Sequence, residues 1–345
     1  MKAYDLLSSF ENIHDKYIME AKDMEKYREK KSGRSRVKYM LIAAIVAVSL
    51  MIVTAVAAMN HLGMQEVTQN TPYAVPSEAA PYIETQSAQE TTTEGWSCTM
   101  LESLFDAASF TISVSISGGD KYVVIPEYCS PGDDVSEIGL PSGQTLGDYA
   151  AQQGKTLLYV GAAIQDRDKL GIASTTRFYK SQSDGEMTIV ETGQKSTDVS
   201  VTEGTCSVNA WFDGQEDITR VELPFTVKEA SGDVLVYKAE GANEVAGIRT
   251  NSFRVYQSPA GNSIVFDQEF PIDETEEYPE AFPEELKRMD IDGISYSEGG
   301  WMENEEGKLE AKWSNVKGTF GDTLTLRFIN WDNEFMGSVT FHLQK

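Results

Sequence analysis

FTISVSIS, residues 110–117, alternates apolar and hydroxyl side chains without a break. Successive side chains of an extended strand point to opposite faces, so Phe110, Ile112, Val114 and Ile116 share one face and Thr111, Ser113, Ser115 and Ser117 the other. This pattern predicts a strand packed on one side. RVELPFTV at 220–227 repeats it through Val221, Leu223, Phe225 and Val227, and its Pro224, which has no N–H to donate, places the strand at a sheet edge. TLTLRF (323–328) and SVTFHL (338–343) repeat it again, with INWDNEFMG (329–337) as the polar turn of a hairpin.

Further hairpins are expected around Gln182-Ser183-Asp184-Gly185, around Glu203-Gly204 and at SPAGN (258–262). TLGDYAAQQGK (145–155) is the exception, a short helix with Thr145 as its cap and an end near Gly154. Many short strands with turn signals every 10 to 15 residues or so predict a mainly β region of one or two antiparallel β-sandwich units. A break near KEASGD (228–233) divides residues 97–230 from a second β-rich domain at 231–345.

Upstream the chain changes character. Residues 60–96 are rich in Thr, Gln, Glu, Ser, Pro and Ala and poor in large apolar side chains, which predicts a disordered stalk. Before it, no charged residue occurs from Met40 to Met59, and about 20 apolar residues at ~1.5 Å rise match a ~30 Å hydrocarbon core. Residues 39–59 therefore read as a transmembrane helix. A cleaved signal peptide is the rival reading, because Ala55-Val56-Ala57 has small residues at a processing spacing. Against it, the apolar core exceeds the usual length of roughly 7 to 15 residues and a long segment precedes it.

Charge sets the orientation. Through Lys38 the chain carries ten basic and seven acidic residues, and no Lys or Arg follows from Tyr39 to Asp120. Of the net charge of −25, the tail accounts for +3 and the remainder for −28. Positive charge beside a span resists translocation, which predicts a cytoplasmic N-terminus and an extracellular C-terminal region at the cell membrane. The acidic exterior excludes nucleic acid as a partner.

The tail, residues 1–38, opens with a helical pattern. Phe10, Ile13, Tyr17, Ala21 and Met24 fall within about 60° of Leu6 on a helical wheel, with Ile18 at roughly 120°. A tail this short has no core of its own, so the stripe needs a cover: a protein partner, the inner membrane face or a second copy of itself.

Motifs for chemistry are scarce. The histidines are His14, His61 and His342, and Cys98, Cys129 and Cys206 form no C-x-x-C pair, which leaves one disulfide or buried free thiols. MDIDG (289–293) fails the calcium-loop pattern, since Arg288 and Gly299 fall at its first and last ligand positions. The acidic run DETEEYPEAFPEE (273–285), interleaved with Pro279 and Pro283, reads as a solvated loop. Trp211, Trp301, Trp313 and Trp331 suit core packing or cross-strand pairing, with stacking on sugar rings as the alternative for any that is exposed. No enzyme activity, cofactor or metal site is expected.

With LLSSFENIHDKYIMEA (6–21), the basic run KYREKKSGRSRVK (26–38), the span and a β-rich exterior set out, the chain resembles membrane-anchored anti-sigma-factor-like proteins of Gram-positive bacteria. The resemblance covers about a sixth of the chain. It implies a cytoplasmic segment that holds a sigma factor inactive until an external event releases it, with Leu6, Leu7, Phe10, Ile13, Tyr17, Ile18 and Met24 carrying the contact. The zinc-binding subtype is not implied, because the tail has His14 but no cysteine. The alternative is a cell-surface binding module for wall polymer, carbohydrate or protein with a passive anchor.

Overall fold

A computed structural model describes residues 63–345 except 198, 216, 231, 271–285, 297 and 304–308. The tail helix and the span expected at 39–59 lie outside the described residues. Among the described residues no helix is long and apolar enough to cross a membrane.

The described chain is mainly β. Its first ten strands are β1 (Glu84–Thr85), β2 (Gln89–Thr91), β3 (Ser97–Phe105), β4 (Ser109–Ser117), β5 (Tyr122–Pro126), β6 (Thr156–Ile164), β7 (Ile172–Ser183), β8 (Glu186–Lys195), β9 (Glu203–Phe212) and β10 (Thr219–Thr226). They form two sheets, β1-β3-β4-β8-β7 with β2 also on β3, and β10-β9-β6-β5. The two sheets share one apolar core, into which Phe110, Ile112, Val114 and Ile116 project as their alternation requires.

All pairs are antiparallel except β5 with β6. A parallel pair needs a crossover, and α2 (Leu146–Gln153) lies on it. Thr145 caps this helix by accepting from Asp148 N, and Gly154 closes it at φ +66°, in agreement with the sequence. Pro224 sits on edge strand β10 as expected. Because Val227 N donates to Thr202 O on the β9 side, the alternate Pro224 position faces outward and no ladder bond is lost.

Three expectations are corrected. Glu203-Gly204 is not a turn but the start of β9; the Phe225 ring lies 2.5 Å from where a Cβ on Gly204 would be, so the glycine makes room for that ring. Strand β4 is buried on both faces, with Thr111, Ser113 and Ser115 at 6%, 0% and 2% exposure. The third correction explains the second: residues 63–96 are not a disordered stalk.

Helix α1 (Met64–Thr68) lies against β4, β7 and β8, a 3-10 turn follows at Ser77–Tyr82, and β1 and β2 pair with β3. Their few apolar side chains need no core of their own. Met64, Val67 and Ala79 dock on Leu104 and Val190, which an existing sheet already presents, and strand pairing needs only backbone.

The remaining strands are β11 (Val234–Ala239), β12 (Glu244–Val245), β13 (Ile248–Tyr256), β14 (Asn262–Glu269), β15 (Leu286–Ile291), β16 (Ile294–Ser295), β17 (Glu298–Glu303), β18 (Leu309–Gly318), β19 (Thr323–Asn330) and β20 (Phe335–Leu343). They make one sheet in the order β15-β19-β20-β11-β13-β14-β18-β16, with β12 on β13 and β17 on β18. The terminal members β15 and β16 are consecutive in the chain, joined at Asp292–Gly293, so the sheet rolls until its ends meet. Tyr296 OH fastens them by donating to Met289 O at 3.2 Å.

A run of rings fills this roll. Phe341 to Phe253, Phe253 to Phe266, Phe266 to Trp313 and Trp313 to Tyr296 have centroid separations of 4.9, 5.5, 4.8 and 4.2 Å. These spacings fall in the favourable range for aromatic pairs. Trp313 thus meets the expectation of core packing, and Trp211 that of pairing, stacked at 5.5 Å on its cross-strand neighbour Tyr159. Trp331, by contrast, is 64% exposed at the tip of the β19–β20 hairpin.

Buried charge joins the roll to the two-sheet part. Lys312 on β18, 1% exposed, donates to Ala108 O at 2.6 Å and to Lys195 O. Lys195, also 1% exposed, has its ammonium within reach of Ala107 O, Ser196 O, Val199 O and the Glu229 carboxylate. Asp106 accepts from Ala108 N, Ser109 N and the Ser109 hydroxyl, and from Ser258 across the junction. Burial pushes its carboxyl above the ordinary range against those bonds.

Replacing Lys312 by Met keeps the volume but leaves the Ala108 and Lys195 carbonyls without this donor in a dry site. The expected loss is about 2–5 kcal/mol. Calorimetry should show a lowered midpoint and separate melting of the two parts; an unchanged single transition would contradict the role given to this lysine.

Candidate functional site

The two facing sheets are closed along opposite seams by different chemistry. At one seam β7 overhangs β5 and β6, and four charged side chains meet there. Glu191 on β8, with its side chain 1% exposed, accepts from Ile164 N at 2.7 Å and from Arg167 Nη2 at 2.8 Å, with Arg177 Nε at 3.5 Å. Arg177 reaches across to Glu127 Oε1 at 2.5 Å, and Tyr179 OH donates to the same oxygen at 3.0 Å. The sequence Glu127–Arg177–Glu191–Arg167 alternates in sign and sums to zero.

Glu127 needs a space that only glycine leaves. A Cβ on Gly161 would lie 2.0 Å from Glu127 Oε2, so the carboxylate rests directly over the β6 backbone. Burial lowers the Arg177 pKa, but Glu191 and Glu127 more than offset it and the net shift is upward. Burial followed by Glu127 raises the Tyr179 phenol. Arg177 is thus held as a cation and the Tyr179 phenol as a donor. The cluster orders the loop that begins at Gln165, because Arg167 also donates to Thr175 Oγ1 at 3.1 Å.

That loop forms one wall of a groove of about 800 Å³ near the other seam. Residues 85–88, 165–166, 169–170, 203–205 and 224–226 line it. Gln86 pins the rim: its side-chain amide donates to Thr226 O at 3.0 Å and accepts from Thr226 N at 3.2 Å, as a neighbouring strand would. Ser103 Oγ also donates to Thr226 O, at 2.9 Å. The volume lies in the range of small-molecule sites. Asp166, Lys169 and Glu203 supply charge of both signs, and Lys169 pairs with Asp166 at 3.2 Å. The groove combines hydrogen-bonding groups and mixed charge with apolar surface from Leu170, Pro224 and Phe225.

Sequence reasoning missed both features. The groove draws on four separate stretches, and only Pro224 and Phe225 among its lining stood out in the alternation. Neither Arg177 nor Glu191 stands out locally; MTIVET (187–192) carries no sign that Glu191 points inward. The expected contact residues Leu6, Leu7, Phe10, Ile13, Tyr17, Ile18 and Met24 lie outside the described residues, as do His14, His61 and the acidic run at 273–285.

Other candidates resolve in place. His342 pairs across strands with Thr323, whose Oγ1 lies 3.1 Å from Nδ1, and its Nε2 faces Glu240. With His342 42% and Glu240 74% exposed, this is a solvated surface arrangement. In MDIDG, Asp290 pairs with Arg288 and Asp292 with Arg327. Among the described residues no group of three or more His, Cys, Asp or Glu could hold a metal ion. The three cysteines are free and buried. Burial, then Glu90, pushes the Cys98 thiol up to about 12; burial with Asp133 and Glu137 pushes Cys129 up to about 11; burial and Glu191 raise Cys206.

The sequence matches no model of a known protein family and no curated protein.

Two outcomes follow from this geometry. Glu191→Gln leaves Arg167 and Arg177 short of a counter-charge while both keep some solvent or a second partner, and should destabilise the fold by about 1–3 kcal/mol in denaturant titration; a change within about 0.5 kcal/mol would show that the cluster is not a fastening. The thiols should react with an aromatic disulfide reagent at pH 8 about 100-fold more slowly in the folded protein than after unfolding. One prompt equivalent in the folded state would contradict their burial.

Proposed function

We propose that this chain is a single-pass membrane regulatory protein of the anti-sigma-factor-like kind. Residues 39–59 span the cell membrane, the tail binds a sigma factor in the cytoplasm, and the β region senses or binds a ligand outside. The observation that carries this reading is the uncharged run Met40–Met59 set between a tail of +3 and a region of −28. That asymmetry orients a span with its basic side inward.

In this reading Leu6, Leu7, Phe10, Ile13, Tyr17, Ile18 and Met24 form the contact surface for the sigma factor. The β part supplies a rigid receiver. Its two cores are joined by buried lysines, and the groove beside Gln86 gives a ligand a place to act. The groove also favours a second reading, a surface binding module whose tail serves only as an anchor.

The two readings separate in one titration. A peptide of residues 1–38 should bind a purified sigma factor from the same cell, and Phe10→Glu with Ile13→Glu should weaken binding by about 100-fold or more, since two apolar contacts of ~1.5–3 kcal/mol each are lost. Undiminished binding by the double variant would overturn the assigned stripe, and absence of binding by the unmodified peptide would favour the passive anchor.

A further inference from the structure

We infer that residues 63–83 form a detachable strap, seated on the outer face of the β4–β8 sheet and built to leave it without unfolding what lies beneath. The inference rests on how the strap is held. Its described backbone–backbone bonds are all local: Glu66 and Val67 to Gly63, Thr71 to Thr68, Ala74 to Thr71, Ala79 to Pro76 and Ile83 to Ala80. Thr68 Oγ1 adds two more internal bonds, donating to Met64 O and accepting from Val75 N. Backbone pairing with the body starts at Glu84 in β1. The strap's backbone bonding is therefore self-contained, with a boundary at the Ile83–Glu84 junction.

Its attachment is small. Met64, Val67 and Ala79 are its buried apolar side chains, Val75 and Ile83 pack half-buried beside them, and the Tyr73 ring sits 5.5 Å from Phe178. One strong polar anchor, Met64 N to Glu102 Oε2 at 2.6 Å, and a longer one from Lys180 to Glu66 O complete it. A five-residue helix does not persist alone, and these contacts oppose the entropy of fixing about 20 residues. Packing is also incomplete: a void of about 20 Å³ lies where Tyr73 and Val75 meet Ala260 and Asn315 of the rolled sheet. The strap thus touches both parts of the β region.

The face beneath the strap is rich in hydroxyls. A sheet face buried for good is normally apolar. Here alternation puts Thr111, Ser113 and Ser115 of β4 and Thr188 and Thr192 of β8 on it, with Leu104, Val190 and, on β7, Phe178 as apolar members. Hydroxyls are satisfied by protein partners when covered, as in the Thr111–Thr192 pair at 3.0 Å, and by water when uncovered. Such a face tolerates both states. Seated, the strap links the two parts through Tyr73 and Val75; unseated, it frees Glu102 and a hydroxyl-lined surface, and any ligand of that surface would shift the balance toward the open form. This device is independent of whether residues 39–59 span a membrane.

Hydrogen exchange on the full-length protein in detergent tests it. After correction for intrinsic rates, the amides of Val67 and Ala79 should exchange about 100-fold or more faster than those of β4 and β8, by local opening. Val67→Asp should raise strap exchange by about tenfold further, and Glu102→Ala by about threefold, with β4, β8, β13 and β14 unchanged. Equal protection of strap and sheet would overturn the proposal, as would either substitution speeding exchange throughout or unfolding the protein.

Discussion

Strand β4 has to be covered on both sides. Its inner residues, Phe110 to Ile116, drive the two sheets together by ordinary apolar burial. Its outer hydroxyls gain little from leaving water and need partners once they do. That asymmetry shapes what surrounds the strand. Apolar residues fill the inside, while outside lie a thin segment of chain, one carboxylate at Glu102 and the edge of a second folded part.

The same economy of apolar contact appears where the rolled sheet meets the facing sheets. Lys312 and Lys195 direct their ammoniums at main-chain carbonyls, and Asp106 collects main-chain and hydroxyl donors beside them. Buried charges satisfied this fully specify one geometry more than they add stability, because their desolvation cost is large. The seam cluster of Glu127, Arg177, Glu191 and Arg167 works alike, fixing a loop that walls the groove. The body is held in register by directed polar contacts and filled by two separate apolar cores.

Local pattern made part of this legible. The alternation of β4, β10, β19 and β20, the Thr145 cap with its Gly154 stop, the turns at Asp184–Gly185 and at 258–262, and the edge position of Pro224 all follow from a few neighbouring residues. What failed was non-local. Nothing within residues 63–96 reveals that Met64, Val67 and Ala79 have a sheet to dock on, because Leu104 lies in the next strand and Val190 far along the chain. Gly204 suggested a turn, yet its role is set by Phe225 about 20 residues later. The closure of the roll depends on Tyr296 meeting Met289 O across a turn, and the groove on four distant stretches. The tail stripe is the converse case, plain in sequence and outside the described residues.

Covering of the hydroxyl face is the claim on which the account turns, and one thiol placed on that face measures it. Ser113→Cys in the full-length protein, with its buried native thiols as a silent background, is predicted to label about tenfold or more slowly than Ser338→Cys on the exposed side of β20. Labelling of both at the same rate, in protein that remains folded, would contradict it.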